Sequence, residues 1–165
     1  MSEVAEGWQI CDARTQDAAE IARLAGLLGY PSETQAMQER LDELLARPDQ
    51  RIAVAARMTG PERRGDAAML GGWVHVTRHI ALESGEFAEI LGLIVDPAAR
   101  RAGVGRALVA EAERWARLQR LARLTVRSNV LRAEPHTFYP ALGFVRSKSQ
   151  HVYAKSLGAD VGAVA

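Results

Sequence analysis

The sequence predicts a mixed α/β fold, one mixed sheet flanked by helices, and three observations carry that prediction. Short segments alternate apolar and polar residues, as half-buried strands do. Longer segments repeat their apolar residues at helical spacing. One strand–helix–strand crossover stands near the centre of the chain, which places parallel strands in an otherwise antiparallel sheet. A length of 165 residues fits one domain, read as 1–155 with a frayed tail over 156–165.

The elements follow in order. WQICDAR, at 8–14, alternates and reads as the first strand. Over 15–28, Ala18, Ile21, Ala22, Leu24, Ala25 and Leu28 recur at helical spacing, with Thr15 or Asp17 as N-cap. Ser32 followed by Gln35 predicts a capping box, opening a helix through Leu41, Leu44 and Leu45 that stops at Pro48. Strands at 51–57, 69–80 and 87–95 form an antiparallel meander, its last turn near Ser84-Gly85. The period then changes, and Val104, Leu108, Ala112, Trp115 and Leu118 line one face of a helix over 104–120. A strand at 122–128, a helix near 134–142 ended by Gly143, and strands at 144–148 and 150–155 complete the order β-α-α-β-β-β-α-β-α-β-β.

Composition excludes several classes. A hydrophobic content of 48% with 25% charged residues excludes a largely disordered chain. The lone Cys11 excludes a disulfide framework and every multi-cysteine zinc pattern. No apolar run approaches the roughly 20 residues that span a bilayer, and MSEVAEGWQI lacks a secretory signal's basic start and apolar block. A cytoplasmic protein without membrane association is the expectation. Net charge is +1, yet the only lysines are Lys148 and Lys155; every other basic residue is arginine. Base composition and anion binding explain that skew equally well, so position has to decide.

Position singles out LIVDPAARRAGVGR, at 93–106. A buried-looking strand runs into a proline turn, two arginines and then Gly103-Val104-Gly105 at a helix start. The first amides of a helix lack intrahelical partners, and its dipole adds partial positive charge there. Glycine allows close backbone approach, and Arg100, Arg101 and Arg106 add charge. Neither better-known phosphate loop fits. Gly-Lys followed by Ser or Thr is absent, and seven residues separate Val95 from Gly103 where a dinucleotide fingerprint puts its glycines directly after the strand.

Arg100-x-x-Gly103-x-Gly105 opening a helix after LIVDP resembles the acetyl-CoA pyrophosphate loop of the GNAT acetyltransferase superfamily. A second block, SNVLRAEPHTFYPALGF at 128–144, resembles the subgroup with an Asn at the strand end, then Phe-Tyr and Gly-Phe. Here these are Asn129, Phe138-Tyr139 and Gly143-Phe144. Pro135 replaces the more usual Ala and fits the first turn of a helix. The resemblance covers about residues 8–155, and it implies a GNAT-like acyl-CoA N-acyltransferase fold.

It also implies a cofactor-binding set. Amides from Arg101 through Ala102, Gly103, Val104 and Gly105 to Arg106 would hold the pyrophosphate of acetyl-CoA. The backbone of Leu93, Ile94 and Val95 would pair with the pantetheine arm and supply oxyanion donors, and Asn129 would bind on the cofactor side. Tyr139 is the implied acid at the leaving sulfur, with Tyr139 also touching the cofactor; a phenol of pKa near 10 facing a thiol near 8.5 makes this feasible. The plain alternative is a core tyrosine with its hydroxyl at the rim.

Glu89 is the candidate base, a carboxylate in the apolar strand FAEILGLIV, where partial burial would raise its pKa. Alternation places it on the face of Leu91, Leu93 and Val95. A water chain, or a merely salt-bridged glutamate, is the alternative. His75 and His79 lack a carboxylate or cysteine companion in sequence, so no metal is expected. The implied reaction is N-acetyl transfer to a small primary or peptide amine. The alternative is a non-catalytic acyl-CoA sensor or partner subunit of the same fold. Nucleic-acid binding lacks aromatic interleaving and a basic balance. Acceptor identity is expected to lie in 17–47 and 77–87. Members of the superfamily often pair into homodimers.

Overall fold

The computed structural model describes residues 3–4, 7–57, 68–128 and 133–158. It divides into two compact units, Met1–Arg127 and Ser128–Ala165.

The first unit holds strands β1 (Glu3–Val4), β2 (Trp8–Asp12), β3 (Gln50–Arg57), β4 (Leu70–Ala81), β5 (Gly85–Val95) and β6 (Leu124–Val126). Its helices are α1 (Ala18–Leu27), α2 (Thr34–Leu45) and α3 (Val104–Leu118). The six strands lie in chain order across one sheet. All neighbours are antiparallel except β5 and β6, joined in parallel through α3 as the crossover requires.

Opposed residues of an antiparallel ladder project to the same side, which sorts the sheet into two faces. One face carries Ile52, Val54, Leu70 and Ile94, buried against Ile21 and Leu24 of α1 and Leu41 of α2. The other lies under α3. There a Cβ on Gly72 would sit 3.1 Å from the Leu108 side chain and 2.5 Å from the Ile94 carbonyl. Leu108, Val109 and Ala112 are fully buried, whereas Leu118, expected on the same stripe, is exposed. Arg51 fastens β3 to α3 through Glu111 (2.7 Å), which Arg114 also contacts at 2.6 Å. Burial opposes the charge of Glu111, but hydrogen bonds from Arg114 and Arg51 outweigh it and hold the carboxyl below its ordinary range.

The second unit contains α4 (Ala133–Ala141). It ends as a Schellman motif: the Phe144 amide donates to the Tyr139 carbonyl at 3.1 Å and the Gly143 amide to Pro140 at 3.0 Å. Pro135 lies in the first helical turn, as expected.

Two expectations are corrected. Residues 144–157 carry no regular structure where strands at 144–148 and 150–155 were expected. Val145, Val152 and Tyr153 are exposed there, so the alternating pattern is not used to bury a face. The N-cap of α2 is Glu33, without a side-chain cap, because the Ser32 hydroxyl accepts from Arg40 at 3.1 Å instead. No helix among the described residues is long and apolar enough to cross a membrane.

Candidate active site

β5 changes character at Leu91. In its ladder with β4, Ile90 opposes Val76 and Gly92 opposes His75, so Leu91 is the extra residue of a bulge. On the other side, parallel pairing with β6 covers Ala88, Glu89 and Ile90 and stops at Val126. From Leu91 to Val95 the strand has a ladder on its β4 side alone among the described residues. That edge offers backbone donors and acceptors to an extended ligand.

The bulge also overturns the expected alternation. Glu89 opposes Thr77, and Ile94 opposes Trp73, so both lie on the α1/α2 face with Gly92 and His75. Leu93 opposes Val74 and shares the α3 face with Ala88 and Ile90. One extra residue inverts every side chain beyond it.

Glu89 is buried, its side chain 5% exposed, and each of its oxygens has a nitrogen neighbour. Arg127 Nε lies 2.7 Å from Oε1. His79 Nε2 lies 3.0 Å from Oε2, at ion-pair distance but without hydrogen-bond alignment. His79 stacks on Phe87 with ring centres 5.3 Å apart, and the Arg123 guanidinium sits 4.7 Å from the Phe87 ring centre. The expected burial of Glu89 is present, and so is the salt bridge of the alternative reading, with Arg127 as its partner; His79 beside it was not anticipated.

Next to Glu89 on this face, Trp73 covers Gly92. A Cβ there would lie 2.7 Å from the indole, so only glycine admits the ring at this distance. Beside it, His75 Nε2 meets Gln50 Oε1 at 2.7 Å, and Gln50 Nε2 donates to Thr77 Oγ1 at 2.8 Å. With the amide nitrogen committed to Thr77, the amide oxygen faces His75, which must then donate from Nε2. Burial pushes the His75 imidazole down and keeps it neutral.

Beyond the open edge the chain turns into α3. Asp96 caps the turn by accepting from the Ala98 amide at 2.8 Å and pairs with Arg23 at 2.8 Å. Ala99, Ala102 and Val104 are buried and anchor the turn to the core. Between these anchors Arg101 (φ 66) and Gly103 (φ 81) are left-handed. Left-handed residues between right-handed or extended ones turn successive amides toward one concavity. Gly103 is the N-cap and supplies no side chain to the first amides of α3. Arg100, Arg101, Gly103 and Arg106 are exposed, and Gly105 is half-buried. The loop thus has the backbone form expected of an anion cradle.

In the second unit, Tyr139 packs edge-on between Phe138 (5.1 Å) and Phe144 (5.5 Å). Burial pushes its phenol up from the ordinary value of 10.0, so it is a proton donor throughout the neutral range. Asn129 lies outside the described residues.

Sequence reasoning missed Arg127, Trp73 and Gly92, and weighed His79 only as a metal ligand. The usable signals were local: TVRS alternates, which puts Thr125 and Arg127 on one face, and a glycine within a strand often marks a bulge or a close approach. Among the described residues, no cluster of three or more His, Cys, Asp or Glu is arranged to hold a metal ion.

The sequence profile of the acetyltransferase (GNAT) domain matches residues 48–146, more than half of the chain. No curated protein sequence matches. Among solved structures, the fold is similar to a GNAT family acetyltransferase of Staphylococcus aureus, 16% identical, with TM-score 0.70 over 90% of this chain and 99% of that one. It is similar to the aminoglycoside antibiotic 6'-N-acetyltransferase AAC(6')-Ih of Acinetobacter baumannii, 18% identical, with TM-score 0.74 over 92% and 100%. It is also similar to AAC(6')-Iy, solved with the bisubstrate analogue CoA-S-monomethyl-acetylneamine, 18% identical, with TM-score 0.74 over 90% and 98%. The strand with one open edge, the uncapped helix start and the profile match agree: this chain belongs to the GNAT acetyltransferase family.

Proposed function

We propose that residues 1–155 act as one acetyl-CoA-dependent N-acetyltransferase domain that transfers the acetyl group directly to an amine. The observation that carries this reading is the continuity of the open β5 edge with the uncapped start of α3. An extended pantetheine arm suits the first, and a pyrophosphate suits the second. Amides of the loop from Arg101 to Arg106 hold the phosphates, and the backbone of Leu93 to Val95 holds the arm. Asn129 assists on the cofactor side.

In the proposed reaction the acceptor ammonium loses its proton on the Glu89 side, and the free amine attacks the thioester carbonyl. Amides of the Leu93–Val95 edge stabilise the oxygen as it gains charge. The carbon–nitrogen bond forms, the nitrogen releases its second proton to solvent, the carbon–sulfur bond breaks, and Tyr139 gives its phenolic proton to the departing sulfur and recovers one from solvent. Burial keeps the Tyr139 phenol protonated across the neutral range, so its proton is present when the sulfur leaves, while the same upward shift makes it a weaker acid. The aminoglycoside acetyltransferases among the similar folds make amines of that kind reasonable first acceptors to assay.

Tyr139→Phe tests the reading. Turnover should fall about 10²- to 10⁴-fold, the usual worth of a positioned acid, while acetyl-CoA affinity stays within a factor of two or so. Unchanged turnover would remove Tyr139 from the chemistry. Saturable acetyl-CoA binding with no acceptor turned over would favour a sensor instead.

A further inference from the structure

We infer that Arg127 is a specificity-determining residue that selects acceptors carrying a carboxylate next to the reacting amine, namely α- or short ω-amino acids. The inference rests on the acetyltransferase reading above and names the acceptor class of that same site.

Arg127 is held at one end and open at the other. Its Nε is 2.7 Å from Oε1 of the buried Glu89, yet 72% of its side chain is exposed. No partner of its two terminal nitrogens is present among the described residues. An arginine whose Nε pairs with a buried anion keeps the two terminal nitrogens of its planar fork for a second, bidentate anion.

Register places that fork beside the chemistry. Val126 is the β6 partner of Ile90, so Arg127 follows level with the Leu91 bulge. Thr125 pairs with Glu89, and alternation puts Arg127 on the same face as Glu89, Gly92 and Trp73. Neighbouring strands lie about 4.8 Å apart. An amine at the open β5 edge and an anion on Arg127 therefore belong to one small molecule with few atoms between them.

The surrounding charge agrees. On this face the Glu89 carboxylate is matched by Arg127, and Arg123 lies over Phe87, whereas Arg78 and Glu86 pair on the opposite, α3 face. Two arginines, Arg123 and Arg127, thus stand against the one carboxylate of Glu89. This rim favours an acceptor bearing a negative charge over a polycation.

The test compares kcat/KM for matched pairs: the amino acids and short ω-amino acids against their carboxamides, with an aminoglycoside as the polycationic reference. Wild type should prefer the carboxylate member by roughly 10- to 100-fold, the range of charge-assisted hydrogen bonds. Arg127→Gln should bring that ratio close to one, and Arg127→Lys, which keeps the charge without the fork, should leave an intermediate ratio. A wild-type preference for carboxamides or for the aminoglycoside would overturn the assignment and leave the acetyltransferase reading standing. So would a carboxylate preference that survives in Arg127→Gln. Acetyl-CoA binding by calorimetry with no turnover of any acceptor would overturn both.

Discussion

From Ala88 to Ile90, β5 is paired on both sides; beyond the Leu91 bulge, from Gly92 to Val95, it is paired on one among the described residues. The two stretches share one apolar sequence run, and they are suited to opposite tasks. The closed stretch cannot offer its backbone, but it can hold a side chain: Glu89 is buried there between Arg127 and His79. The open stretch carries no titratable side chain, but its backbone edge is available to a ligand. A single inserted residue at Leu91 separates them, so the bulge is where a held carboxylate gives way to a receptive strand edge.

The largest expected effect comes from emptying the closed stretch. Glu89→Gln should lower turnover about 10²- to 10⁴-fold if the carboxylate side removes the amine's proton. Wild-type turnover across pH 6–9 would instead favour a water chain. Next is the junction. Gly92→Val forces Trp73 off the strand, an overpacking worth about 1–3 kcal/mol, which lowers Tm by roughly 2–10 °C. Acceptor KM should rise more than acetyl-CoA KM, because the indole lies on the Glu89 face.

A smaller effect is expected at the end of the open stretch. Gly103 is left-handed, so Gly103→Ala costs about 1–2 kcal/mol at that residue. It should weaken acetyl-CoA binding several-fold with acceptor KM little changed. Glu111→Gln, on the opposite face, should leave activity alone and cost about 1–2 kcal/mol of stability. Its folded pKa lies below the ordinary 4.5. Its stabilisation is therefore complete above that pH and lost as pH falls through the folded value. The wild-type advantage in denaturant melts should be present at pH 7 and shrink in acid below about pH 4.5.

The closed stretch was harder to read from sequence than the open one, for a physical reason. A loop such as Arg100 to Arg106 is local: its glycines, its charges and the helix start it opens are all adjacent in the chain. Glu89 was legible as a lone carboxylate in an apolar strand, but its neighbours come from the adjoining strand β4 and, far away in sequence, from just past the end of β6. The bulge was hidden because FAEILGLIV is apolar on both faces, so no polar residue marks where alternation slips. The strand pattern over 144–155 shows the reverse. Alternation there is real, yet a strand forms only where another strand pairs with it, and sequence does not report that.

The difference between the two stretches of β5 is tested most directly by amide hydrogen exchange with and without saturating acetyl-CoA. Binding should slow exchange over Leu91–Val95 and over Arg101–Arg106, and leave Ala88–Ile90, already paired on both sides, unchanged. Saturable binding with no added protection from Leu91 to Val95 would contradict the assignment of that edge to the cofactor.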